Sequence, residues 1–208
     1  MGLLRIEEKE IFRYGVWKID EDEDELRKIL SYDISSPHLN PGKRIEFLAV
    51  RALAKTMDIE PQSIAYQPSG KPYLIGNNAH LSISHTKGYA AIMISDMENI
   101  GIDIECRSDR ILKVRHKFIS PEEELNISGH PGNETISLLL HWSAKESLFK
   151  AIPDEGVDFI KELRIYDFTS LAEKGSFKAK ALRSDKDFLI NYCVSDDYVL
   201  TTCIPLIP

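Results

Sequence analysis

Two acids stand two residues apart in "NIGIDIECRS", residues 99–108: Asp103 and Glu105, alternating with Ile102 and Ile104. Alternation of this period reads as a strand with one face in a core. Side chains at i and i+2 share a face, so the isoleucines face a core and the acids stand side by side. Like charges so placed repel. Either they form the solvent face of an edge strand, or something positive lies over them. A hard divalent cation would serve, because Mg²⁺ takes few carboxylates and completes its shell with water and phosphate. Ions held in this way serve phosphoryl chemistry. A third carboxylate, Glu146, stands in "HWSAKESLFK" (141–150), four residues before Lys150. That pair is either a surface i,i+4 ion pair, worth about 0.2–0.5 kcal/mol, or part of the same site. Lys145 falls inside the apolar arc of this helix, so it needs an anionic partner or must snorkel to the edge.

Phosphates need cations. Lys71 follows Gly70 and precedes Pro72 in "SGKPYL" (69–74), a rigid turn. Ser84 and His85 close "HLSISH" (80–85). Arg44, Arg51 and Lys55 share a stripe of one helix, opposite Ile45, Ala49 and Leu53. Each of these also suits an ordinary solvated surface.

The elements that must hold these residues read as follows. Residues 11–19 form a strand, and 40–57 a helix capped by Asn40 with Pro41 in first position. The acidic run "DEDEDE" (20–25) favours the positive end of a helix continuing through "LRKIL". Strands at 80–85 and 89–95 flank a turn at Thr86, Lys87 and Gly88, and "DMENI" turns into the acidic strand. Residues 109–117 are weakly helical. "SPEEELNI" opens a helix with Ser120 as cap and Glu123 third, a capping box. Residues 133–151 form the strongest helix, burying Leu138, Trp142, Leu148, Phe149 and Ile152 on one arc. From about 162 the chain reads as strands: "LRIYDF", "SFKAKAL", "DFLINYCV" and "YVLTTCI". Helices mixed with mostly antiparallel strands make an α+β fold, with a boundary near 97–100 separating residues 1–98 from 99–208.

Composition bounds the function. With 43% hydrophobic and 28% charged residues the chain is globular in character. A net charge of −7 argues against nucleic-acid binding. "MGLLRIEEKEIF" is too charged for a secretory leader, and Ile6 does not suit myristoylation. No apolar run approaches the roughly 18 residues of a membrane helix. The expected location is cytoplasmic, without membrane contact. Cys106, Cys193 and Cys203 suit neither a disulfide framework nor a zinc site and read as reduced packing residues.

"SGKPYL", "LSISHT", "GIDIE", "FISPEE" and "WSAKESLFK" occur in this order between about residues 44 and 152. Together they resemble the 4′-phosphopantetheinyl transferases, in the longer, two-half, monomeric type. The resemblance implies two similar α+β halves related by a pseudo-twofold, with the active site at their interface. It assigns the nucleotide side to 1–98, and the metal ligands and carrier docking to 99–208. It implies transfer of the phosphopantetheine arm of coenzyme A to a serine of an acyl or peptidyl carrier protein, Mg²⁺-dependent, with release of 3′,5′-ADP. By the same resemblance Asp103, Glu105 and Glu146 hold Mg²⁺, and Lys150 contacts the pyrophosphate. Lys71 and Pro72 lie against the nucleotide, Ser84 and His85 near the 3′-phosphate and pyrophosphate, and Arg44 reaches the 3′-phosphate. Glu123 matches a proposed base for the carrier serine, its capping-box role being equally good, and Glu146 competes for it. The basic run with Arg107, Arg110, Lys113, Arg115 and Lys117 is expected to dock an acidic carrier. The alternatives are a coenzyme A- or carrier-binding module without turnover, and a phosphodiesterase acting on free coenzyme A.

Overall fold

The computed structural model describes residues 2–31, 39–128, 133–153, 156–166 and 172–206. The chain divides into two compact units, Met1–Glu98 and Asn99–Pro208. No helix among the described residues is long and apolar enough to cross a membrane.

In the first unit, β1 (Leu3–Glu8), β2 (Arg13–Lys18), β6 (Tyr89–Ser95) and β5 (His80–Thr86) form an antiparallel sheet in the order β1-β2-β6-β5. Helix α1 (Glu23–Leu30) starts inside the acidic run, where Asp22 and Glu25 make a capping box. Helix α2 (Pro41–Thr56) begins at Asn40, whose side chain accepts from the Lys43 amide. Leu26, Leu30, Leu48 and Leu53 from these helices are fully buried with Trp17 and Ile92 of the sheet. A small hairpin, β3 (Ile64–Tyr66) with β4 (Pro72–Leu74), presents the Lys71 turn.

In the second unit, β7 (Gly101–Cys106) is the edge of a five-stranded antiparallel sheet. The order is β7-β11-β10-β9-β8, with β8 Leu163–Ile165, β9 Lys174–Ala181, β10 Lys186–Val194 and β11 Tyr198–Pro205. Asp103 pairs with Thr201, and Glu105 with Val199. Among the described residues three helices accompany the sheet: α3 (Arg110–Val114), running into a 3₁₀ turn at Arg115–Lys117, α4 (Pro121–Ser128) and α5 (Glu134–Ala151). Helix α5 carries the packing. Leu138, Leu140, Ala144 and Leu148 are fully buried with Phe188, Ile190 and Val199.

The single apolar arc expected for this helix is too simple. Ser137, His141, Ser143, Lys145 and Ser147 are also fully buried, whereas Phe149 is 37% exposed. Its ring instead leans on Phe159, centroids 5.6 Å apart. The helix is thus enclosed on several sides, and Ser143 Oγ lies 2.9 Å from Thr201 Oγ1 on the sheet.

The helix approaches β7 at Gly101, where a Cβ would stand 1.8 Å from the Ser147 carbonyl oxygen. That atom is backbone, so no side-chain rotation relieves the clash. Gly101→Ala is expected to cost roughly 1–3 kcal/mol or more, as overpacking does, with a matching fall in the urea midpoint. A variant as stable as the parent would show the close approach to be slack.

Candidate functional site

Gly101, Asp103 and Glu105 alternate along β7 on one face, and Gly101 shows that α5 covers that face. The acids therefore do not face open solvent. Asp103 is 3% exposed and Glu105 half-buried. Ile102 and Ile104 on the other face are buried too. An edge strand enclosed on both faces needs donors for its acids, and α5 supplies them. Trp142, Glu146 and Lys150 follow at i, i+4 and i+8 on one side of the helix. The Trp142 indole Nε1–H donates to Glu105 Oε1 at 2.7 Å. Lys150 Nζ donates to Asp103 Oδ1 at 2.8 Å and to the Ile102 carbonyl at 3.1 Å.

Glu146 sits between these two contacts. Burial first, then the charge of Asp103, raise its pKa from 4.5 to about 7; Lys150 opposes the rise and Glu105 adds to it. The three carboxylates thus feel one another, with one ammonium among them. Their hard oxygen donors and excess negative charge suit Mg²⁺. Among the described residues no group of three or more His, Cys, Asp or Glu is gathered tightly enough to coordinate one ion as it stands. Lys150 and Trp142 hold oxygens that a cation would take. The helical wheel places Trp142 with the core, and its spacing of four from Glu146 and eight from Lys150 is the signal for a second role.

Glu123 requires a correction. It is fully buried, and its carboxylate accepts from the Ser120 amide at 2.9 Å, the Ile165 amide at 2.9 Å and Lys145 Nζ at 2.7 Å. A carboxylate so enclosed has no path to a carrier serine, so the role as base is withdrawn and the capping-box reading stands. Lys145, also fully buried, has found its anionic partner. Burial still holds its pKa below the ordinary lysine value, the Glu123 charge opposing that fall.

The cation stripe of α2 also differs from expectation. Arg44 Nε binds Glu23 Oε2 at 3.0 Å, and its Nη1 donates to the Leu39 carbonyl at 2.8 Å. Lys55 donates to the last carbonyls of α1, Ile29 at 2.8 Å and Leu30 at 3.1 Å. Arg51 is 4% exposed and lies 3.6 Å over the Phe47 ring. Arg44 and the exposed Lys55 therefore tie α2 to α1, while Arg51 packs into the core.

Lys71 is exposed at its turn, where Gly70 has φ +86°, and Pro72 opens β4. Ser84 is buried, whereas the neighbouring His85 is exposed with Nδ1 3.3 Å from Glu46 Oε2. Arg107, Arg110, Lys113 and Lys117 are exposed. Arg115 is instead tied to Glu124 and Glu134. Arg107, Asp109 and Leu112 line a groove of about 600 Å³ with Glu134, Thr135 and Ile136. Cys193 and Cys203 are buried and Cys106 is half-buried.

Residues 99–203 match the model of the 4′-phosphopantetheinyl transferase superfamily. A 4′-phosphopantetheinyl transferase of Bacillus subtilis is 33% identical over 109 residues, 50% of this chain and 48% of that protein. The 4′-phosphopantetheinyl transferase gsp of Aneurinibacillus migulanus is 29% identical over 110 residues, 51% of this chain and 46% of its own length. The chain thus matches about half the length of these relatives.

A raised carboxyl pKa means that the folded state binds a proton the unfolded chain has released. That contribution to stability is complete below 4.5 and declines as pH rises toward about 7. Metal-free Glu146→Gln should therefore lose less stability across this window than the metal-free parent, by an amount on the order of 2 kcal/mol. Chemical denaturation at several pH values checks this, and identical profiles would contradict the assigned environment.

Proposed function

Because the chain belongs to the 4′-phosphopantetheinyl transferase superfamily, we propose that it moves the 4′-phosphopantetheine arm of coenzyme A to a serine of an apo acyl or peptidyl carrier protein. The observation that carries this reading is the convergence of Asp103, Glu105, Glu146 and Lys150 between β7 and α5. The serine oxygen attacks the diphosphate phosphorus that bears the arm. The bond from that phosphorus to the bridging oxygen breaks, and 3′,5′-ADP leaves with that oxygen. The serine proton passes to a base.

Asp103, Glu105 and Glu146 would hold Mg²⁺, which when bound offsets the charge gathering on the diphosphate. Lys150 then has the reach and charge to turn from Asp103 to a phosphate oxygen. With Glu123 enclosed, Glu146 is the remaining candidate to accept the serine proton. In the first unit, Lys71 and Pro72 offer a rigid cationic turn to the nucleotide, with Ser84 and His85 toward its phosphates. Arg107, Arg110, Lys113 and Lys117 give an acidic carrier an exposed basic surface beside the groove. Arg115, already paired, is left out of that surface. The reading makes the protein a cytoplasmic monomer.

The test is a loading assay. The protein is incubated with coenzyme A, Mg²⁺ and apo carriers of the fatty-acid, polyketide and peptide kinds, and the carriers are weighed by mass spectrometry. The expected result is a gain of one phosphopantetheine by at least one carrier, lost in Asp103→Ala while the circular dichroism of the parent is kept. No gain with any carrier would overturn transfer, and release of 3′,5′-ADP without a carrier would favour a phosphodiesterase.

A further inference from the structure

We propose that the buried Lys145–Glu123 ion pair is the positioning device of the acidic site, acting through Phe118, Phe159 and Trp142 on Glu105. Lys145 Nζ donates to the Phe118 carbonyl at 2.6 Å, Glu123 Oε2 at 2.7 Å and the Phe159 carbonyl at 2.8 Å. All three ammonium hydrogens are thereby used. Glu123 in turn fastens the start of α4 and the last residue of β8. One lysine on α5 therefore draws four chain segments to a single point.

Two of those segments carry the rings that flank Trp142. The Phe118 ring meets the indole edge-on at 5.2 Å, and the Phe159 ring lies 5.7 Å away at 39°. Trp142 is one turn before Glu146 on the same helix, and its Nε1–H holds Glu105. The Lys145 hydrogen bonds fix the two backbones, the backbones fix the rings, and the rings fix the indole that orients Glu105. The Lys145 ammonium meets Phe118, Glu123 and Phe159, none of them among the acids proposed to hold the metal. Lys145 is a positioning residue.

A buried ion pair is weak evidence for stability, since an apolar pair of similar volume often does as well. What apolar residues cannot do is hold two carbonyls and a carboxylate at fixed places around one helix. That geometric service is what the three hydrogen bonds provide.

The test uses the ¹⁵N-labelled full chain without coenzyme A, metal or carrier. Its main readout is the Trp142 indole N–H resonance and hydrogen exchange. In Lys145→Met the indole hydrogen should exchange about tenfold faster, its resonance moving upfield as the bond to Glu105 loosens. Phe188→Leu, a core change matched for loss of thermal stability, should leave that resonance in place. Glu123→Gln keeps an acceptor for Lys145; it should shift Trp142 in the same direction by a smaller amount. The kinetic arm alone rests on the transferase reading: kcat should fall about tenfold in Lys145→Met while the KM for coenzyme A changes less than about threefold. Parent-like Trp142 exchange in Lys145→Met or, where that variant does not fold, in Glu123→Gln would overturn the proposal. A parent without transferase activity would overturn the functional reading and leave the Trp142 result to decide this one.

Discussion

The second unit is governed by how closely α5 lies on β7. At Gly101 the helix backbone occupies the space a side chain would need. The contact lays α5 along the face of β7 that carries Asp103 and Glu105, so both acids are roofed by helix. Once roofed, they must be met by donors from it, and Lys150 and Trp142 are those donors. The same geometry brings Glu146 between them. A wider spacing would leave the acids to water and the site without form.

Two carboxylate environments within this unit make an instructive contrast. Glu123 is closed: one lysine and two amides satisfy it, and nothing further can enter. The Asp103–Glu105–Glu146 group is open in charge, with three acids against one ammonium; burial first, then the charge of Asp103, leaves Glu146 holding a proton up to about pH 7. Both arrangements carry the cost of burying charge. The first spends it on fixing backbone. The second leaves a negative field in a half-buried place, a setting that suits a cation or a proton.

Much of this was legible in the sequence. The alternation in "GIDIE", the cap at Asn40 and the capping box at Ser120 and Glu123 each rest on local rules, and each element formed where those rules put it. What local rules miss is what lies across from a residue. Alternation could not tell that α5 would cover the acids, so Asp103 read as a strand-face acid when it is nearly buried. A helical wheel assumes one buried side, so Phe149 was placed inside and Trp142 read as core alone. The Arg44 stripe looked available because α1, its partner, is joined to it by tertiary contact and not by spacing. The strand Leu3–Glu8 carries too many charged residues for a clean alternation, and the strands of the hairpin at Ile64–Leu74 are only three residues long. Lys145 is the opposite case: its misfit on the wheel already said that a buried anion had to exist.

The central claim, that the roofed acids are a divalent-cation site, is tested most directly by a crystal structure of the protein grown with coenzyme A and Mn²⁺, using the anomalous signal of the metal to locate it. The account predicts a peak bounded by Asp103, Glu105 and Glu146, with Lys150 turned from Asp103 to a phosphate oxygen. A peak elsewhere, with the Lys150–Asp103 contact intact beside bound coenzyme, would contradict it.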